Sequence, residues 1–252
     1  VTGAGLAWGA AKETALFAVH HRDEWEHLDD DAAVERLRRH HRGVWDSKAA
    51  MGTLIHSVLE SWTYGTAFDL EEAIAAAAPK APLWQGREHE VLIEALGYVA
   101  GLRWFIETYE PEIVATEEVI RGETPEGVRY VGQRDLVARI GDDLWLLDLK
   151  TTSEQDRSKG AYPASWSLQL AAYRHATEIE RYDDDCNLVA TLPAYPIARC
   201  GIVHLRGTEP YEPLLEVSAG ADEYRVFCAL ALHNEWAKGA RTVPVVPGRE
   251  GR

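Results

Sequence analysis

Apolar positions in the first part of the chain recur at helical spacing. Trp8, Ala11, Ala15, Leu16 and Val19 fall on one face of a segment from Trp8 to His20, which predicts a helix. Asp31–Arg42 predicts a second. Met51, Leu54, Ile55, Val58, Leu59 and Trp62 form a stripe that predicts a third, from about Lys48 to Trp62. Two more, over Leu70–Ala78 and Arg87–Tyr109, are divided by Pro79 and Pro82. Proline lacks an amide hydrogen and clashes with the preceding turn, so a helix does not run through such a pair.

The pattern changes at Pro111. Ile113–Arg121 and Val128–Ile140 predict strands around the turn-forming run ETPEG, Glu123–Gly127. Gly141-Asp142-Asp143 predicts a tight turn into a third strand, Leu144–Thr151, so the three form an antiparallel meander. A helix over about Ser165–Arg181, strands near Leu188–Leu192 and Ile197–Arg206, and a last helix over about Ala221–Lys238 complete the series. Helices first, then a meander, then a helix and more strands predict an α/β fold with an added N-terminal helical region. The expected organisation is a single domain over 1–252, with a mainly helical part at 1–110 and a sheet core at 111–252.

Composition refines this picture. The 252 residues carry 26 Lys+Arg against 41 Asp+Glu, a net charge of −15, which argues weakly against coating nucleic acid by charge alone. It does not exclude an enzyme that holds phosphate through metal ions. At 46% apolar and 27% charged, the chain has enough apolar residues for a sizeable core. No stretch approaches the roughly 20 apolar residues of a membrane span, and no signal peptide is expected. Cys186, Cys200 and Cys228 lie 14 and 28 residues apart, which suits neither a disulfide framework nor a cysteine-rich cluster. A reducing, cytoplasmic setting without membrane association is the simplest expectation.

The chemistry concentrates in VGQRDLVARIGDDLWLLDLKTT, Val131–Thr152. Strand alternation puts Leu144, Leu146, Asp148 and Lys150 on one face and Trp145, Leu147 and Leu149 on the other. An Asp and a Lys at the end of an apolar strand are costly to bury unpaired. The Gly141–Asp143 turn brings Asp135 of the preceding strand beside Asp148, so both carboxylates can converge on one hard cation such as Mg²⁺ or Mn²⁺. On spacing alone a structural Asp–Lys ion pair fits the same residues.

Two further features share helix faces. His56 and Glu60, in GTLIHSVLE, are four apart and border the apolar stripe. His is a ligand for such metals, or equally a hydrogen-bonded core residue. Gln169 and Tyr173, in SWSLQLAAYRHA, are also four apart; Gln both donates and accepts, while Tyr stacks and hydrogen-bonds. Trp166, one turn earlier, is a candidate for stacking on a base.

In order and rough spacing, GTLIHSVLE, Gly132–Asp135 (G-x-x-D), Asp148–Thr151 (D-x-K-T) and Gln169–Tyr173 (Q-x-x-x-Y) resemble the RecB-like branch of the PD-(D/E)XK nuclease superfamily. The opening WGAAKETA is similar to stand-alone phage-type exonucleases of this group. The resemblance implies a restriction-endonuclease-like core, a central mixed sheet flanked by helices, and hydrolysis of DNA phosphodiesters with Mg²⁺ or Mn²⁺, as two ions. It implies His56, Asp135, Asp148 and the Leu149 carbonyl as metal ligands. Lys150 would orient or activate the attacking water, with Glu60 steadying His56. Gln169, Tyr173, Thr151, Arg134 and Trp166 would meet the DNA, together with a basic lining drawn from Arg121, Arg129, Arg157, Lys159 and Arg174. Related nucleases carry four cysteines for an iron–sulfur cluster; with three scattered cysteines, no cluster is expected. Linear DNA ends or a single strand would be the substrate, in recombination or repair in a phage setting, with a recombination protein as candidate partner. A structure-specific endonuclease and an inactive DNA-end-binding or assembly module on the same fold are the alternatives. Oligomeric state is not legible in the residues.

Overall fold

The computed structural model describes residues 3–152, 164–183, 185–206 and 213–239, with side chains from Ala10 onward. The chain opens with α1 (Gly3–His20), α2 (Asp30–Tyr64), α3 (Leu70–Ala77) and α4 (Glu88–Tyr109). The meander follows as β1 (Glu112–Glu123), β2 (Arg129–Ile140) and β3 (Asp143–Thr152). Then come α5 (Ala164–Arg174), β4 (Glu178–Tyr182), β5 (Leu188–Pro193), β6 (Arg199–Arg206), β7 (Leu214–Glu216) and α6 (Ala221–Gly239). The strands form one seven-stranded sheet in the order β5-β4-β1-β2-β3-β6-β7. Among the described residues only β3 and β6 pair in parallel, Asp148 beside Ile202 and Lys150 beside His204. The sheet is therefore mixed and flanked by helices, as expected.

Its two faces bury different helices. Trp145, Leu147 and Leu149 of β3, with Leu136 and Ala138 of β2, pack under α2 and α4 against Met51, Leu54, Ile55, Val58, Leu102 and Phe105. Leu146 and Val137 point the other way, onto Leu170 and Ala171 of α5. The period-2 alternation read from the β3 sequence is the alternation observed.

Three departures have physical causes. The two helices expected over Asp31–Trp62 are one helix of 35 residues, α2. Between them Gly43, Val44 and Ser47 are buried, and tertiary packing carries the helix through a stretch with weak local signal. Its start has an Asp29 side chain accepting the Ala32 amide, and its end has Gly65 in the left-handed region. The helix expected to reach Arg181 stops at Arg174, and residues 178–182 are β4. The Thr177 amide donates to the Arg121 carbonyl, so the chain is captured by β1 instead of extending the helix. β7, three residues long, was too short to expect.

Candidate active site

The site lies where two strands part. The β2–β3 ladder runs from Ile140↔Asp143 to Leu136↔Leu147 and stops there. Toward Arg129, β2 stays paired with β1; toward Thr152, β3 stays paired with β6. The next residues across the fork are Asp135 and Asp148. A ladder bond is missing at that point, and the Leu149 amide donates instead to Asp135 Oδ2 at 2.7 Å. The gap is reached from both faces of the sheet, by His56 from α2 and by Gln169 from α5.

His56 Nδ1 donates to Glu117 Oε1 at 2.8 Å, and its Nε2 faces Asp135 Oδ2 at 3.6 Å. Lys150 Nζ pairs with Asp148 Oδ2. Gln169 Nε2 donates to Asp148 Oδ1 at 3.1 Å and to the Tyr173 hydroxyl at 3.2 Å. Ligand atoms of His56, Glu117 and Asp135 lie within 4.8 Å of one another. A cavity of about 660 Å³ opens over this group, walled by Ala49, Gly52, Thr53, His56, Ser57 and Glu60 of α2, and by Leu149, Lys150 and Thr151 of β3.

The electrostatics are those of crowded, buried carboxylates. Burial, and then the neighbouring Asp148 charge, push the Asp135 carboxyl up to about 7, against His56, Lys150 and the Leu149 amide. For His56, burial disfavours the cation. The Glu117 hydrogen bond and the negative charges of Asp135 and Glu117 outweigh it and hold the imidazole above its ordinary range. Two buried acids repelling each other beside an imidazole, all offering hard or borderline donors, fit a divalent cation. His56, Glu117, Asp135 and Asp148 are the side chains that would hold it.

Glu117 was not found from sequence. It is a non-glycine residue with φ +49°, in the left-handed region, in the middle of β1. There the ladder passes from Thr116↔Leu136 to Glu118↔Arg134 in unchanged register, with Glu117 itself left unpaired in it. Such a backbone is strained for a Glu and turns its side chain into the fork. TEEV reads as ordinary strand, and nothing in it signals the reversal.

The other expected site residues are placed as follows. Thr151 lines the cavity. Glu60 stands exposed on its rim, while the carboxylate bonded to His56 is that of Glu117. Arg134 departs from its expected DNA contact. It has 0% exposure; its guanidinium donates to the Tyr173 carbonyl at 2.6 Å and lies 3.7 Å from Glu118. It ties the end of α5 to the sheet. Tyr173 is half-buried, its ring seated on Gly132. A Cβ built there would lie 3.0 Å from Tyr173 Cζ and 3.1 Å from Cδ1, with Cε1 closer still. The glycine of G-x-x-D thus leaves room for the tyrosine of Q-x-x-x-Y. Trp166 packs edge-on to His204, ring centroids 6.1 Å apart, against the α5 side of the core. Among the basic candidates, Arg121 pairs with Glu180 and Arg129 with Glu123, and Arg174 donates to the Ala198 carbonyl. Arg157 and Lys159 lie outside the described residues.

No helix among the described residues is long and apolar enough to cross a membrane. No curated protein matches the sequence significantly. A solved structure titled "Crystal structure of SSO0001" aligns with 94% of this chain and 87% of its own at 14% identity, with a TM-score of 0.35, too low to carry weight. The family comparison is decisive. The model of the PD-(D/E)XK nuclease superfamily matches residues 31–193, more than half of the chain. That span runs from α2 to the end of β5 and takes in His56, the fork with Asp135, Asp148 and Lys150, and Gln169 and Tyr173 on α5. The acidic fork, the lysine beside it and the family match agree, and the chain belongs to the PD-(D/E)XK nuclease superfamily.

Proposed function

We propose that the protein is a Mg²⁺- or Mn²⁺-dependent DNA exonuclease of the RecB-like type, acting in recombination or repair. The observation that carries this reading is the parted β2–β3 fork, which gathers His56, Glu117, Asp135, Asp148 and Lys150 at one point beside an open cavity. The order of the four motifs along the chain supports the RecB-like assignment. A single nuclease domain fits the way α2, the meander and α5 all supply the site.

A divalent cation bound at the fork supplies charge neutralisation for a phosphate and lowers the pKa of a nearby water. The residues do the rest. Asp135 and Asp148 keep their carboxylates at fixed positions, one tied to the Leu149 amide and the other to Gln169. Lys150 places an ammonium beside Asp148, where it orients a water for in-line attack and offsets charge on the phosphate. Glu117 fixes the imidazole of His56 so that Nε2 faces the fork. Water adds to phosphorus, the sugar oxygen leaves with a proton, and no covalent enzyme intermediate is required.

The test is cleavage of end-labelled linear DNA beside closed circular DNA, with Mg²⁺, Mn²⁺ or chelator, by wild type and Asp148→Ala. Metal-dependent loss of linear DNA alone, abolished in the variant, is the expected result, and the label position reports polarity. Cleavage of the circle would replace the exonuclease with an endonuclease. No cleavage by a folded, metal-loaded protein would refute both and leave a binding or assembly role.

A further inference from the structure

Gly52 lies inside the long helix α2, where a glycine weakens the helix because it has the most backbone freedom to lose and no side chain to pack. The other glycine of α2, Gly43, has a packing reason. It is buried, and a Cβ there would rest 3.7 Å from Pro82. At Gly52 no such reason exists: a Cβ would meet nothing within 4 Å. Its φ is not left-handed either, so backbone freedom does not explain it. What Gly52 does face is the cavity over the fork.

The cavity wall along α2 is uneven. Over the two turns before His56 it is made of Ala49, Gly52 and Thr53, small and uncharged. One turn after His56 stands Glu60. Across the gap are Leu149, Lys150 and Thr151. A polyanion is repelled at the Glu60 end. Past Gly52 the α2 wall carries no charge, while Lys150 and Thr151 of β3 bring an ammonium and a hydroxyl to the same cavity, which Glu117 also lines.

We propose that the nucleic acid strand carrying the scissile phosphate reaches the fork past Gly52, whose missing side chain leaves the space its sugar–phosphate backbone occupies between α2 and β3. This rests on the nuclease reading and names the route of its substrate. Close approach of a backbone is a recurrent reason for glycine at a binding surface, and here it accounts for a helix-weakening residue that nothing in the fold requires.

The test uses the full chain with Gly52→Ala and Gly52→Leu, both good helix formers. Three quantities are read: melting temperature, Mn²⁺ affinity by calorimetry, and affinity for a labelled phosphorothioate oligonucleotide, which resists hydrolysis, by fluorescence anisotropy with Mn²⁺ present. Gly52→Ala should melt about 2–4 °C higher, because the helix gains and nothing clashes. Both variants should bind Mn²⁺ within about twofold of wild type. Kd for the oligonucleotide should rise about tenfold or more in Gly52→Leu and less in Gly52→Ala. Wild-type oligonucleotide affinity in Gly52→Leu would overturn the route, and so would a lower melting temperature in Gly52→Ala, since the glycine would then serve the fold. If wild type cleaves DNA and Gly52→Leu binds it unchanged, the route alone fails. If wild type neither binds nor cleaves, the nuclease reading fails with it.

Discussion

Replacing Gly132 by alanine tests the joint between the two motifs that meet behind the fork. The added methyl would lie 3.0 Å from Tyr173 Cζ, with Cε1 closer, so the ring must move. It is not free to do so. The Tyr173 carbonyl is held by Arg134 at 2.6 Å, and its hydroxyl accepts from Gln169 at 3.2 Å. Overpacking of this kind costs about 1–3 kcal/mol, offset by roughly 0.5–1 kcal/mol because alanine loses less chain entropy than glycine in a strand. Mid-range values leave a net loss of about 1 kcal/mol, or a melting temperature lower by about 2–4 °C for a chain of this size. A displaced ring also releases the Gln169 hydrogen bond, worth about 1 kcal/mol, and with it the hold on Asp148. The cleavage rate should then fall by up to about tenfold. The assay is urea unfolding and initial DNA cleavage rate for wild type, Gly132→Ala, Tyr173→Ala and the double variant. In the Tyr173→Ala background the methyl has room, so Gly132→Ala should cost nothing there. A Gly132→Ala protein as stable as wild type, or one that loses the same stability in both backgrounds, would refute the reasoning.

Asp148→Ala should remove most nuclease activity and weaken divalent-metal binding, whereas Lys150→Ala should lose rate with a smaller change in metal affinity; calorimetry beside cleavage kinetics separates the two. Glu117→Gln removes the charge that favours the His56 cation, so the imidazole pKa, followed by its ring protons in chelator, should move down; an unchanged titration would mean that Glu117 does not act on His56. Burial, with Arg206 second, lowers His204 to about 4 from an ordinary 6.5, so the unfolded chain binds the extra proton between those values. His204 therefore favours folding fully above about pH 6.5 and loses that contribution as pH falls toward 4, at most on the order of 3 kcal/mol. His204→Gln should flatten the urea midpoint between pH 7 and 4, and a parallel pH profile would contradict the assignment.

The parts legible in sequence are those written in local periodicity or in chemistry that is costly without a purpose. The alternation of β3 separated Asp148 and Lys150 from Leu147 and Leu149 correctly, because a strand has one face for each residue parity. The turn at Gly141 brought Asp135 next to Asp148, one step past the last rung of the ladder. What failed depended on distant partners. Arg134 looks like a phosphate contact in sequence; it is buried because the register sets Glu118 across from it on β1 and the end of α5 caps it. β4 carries helix-forming residues and becomes strand only because β1 offers an edge. Glu117 owes its place to a reversed backbone torsion that Glu does not advertise.

The fork has a consequence for the chain as it is made. Its parts come from segments as distant as His56 on α2 and Gln169 on α5, and the bond from Gln169 reaches Asp148 only after α5 has docked. A nascent chain that has emerged as far as β3 already holds both aspartates and the lysine, yet Asp148 lacks its amide partner and one face of the sheet is bare. Competence therefore waits for α5 to emerge and dock, although that contact spans only 21 residues against 61 for His56 and Glu117, and fragments that end before α5 should be inert toward nucleic acid.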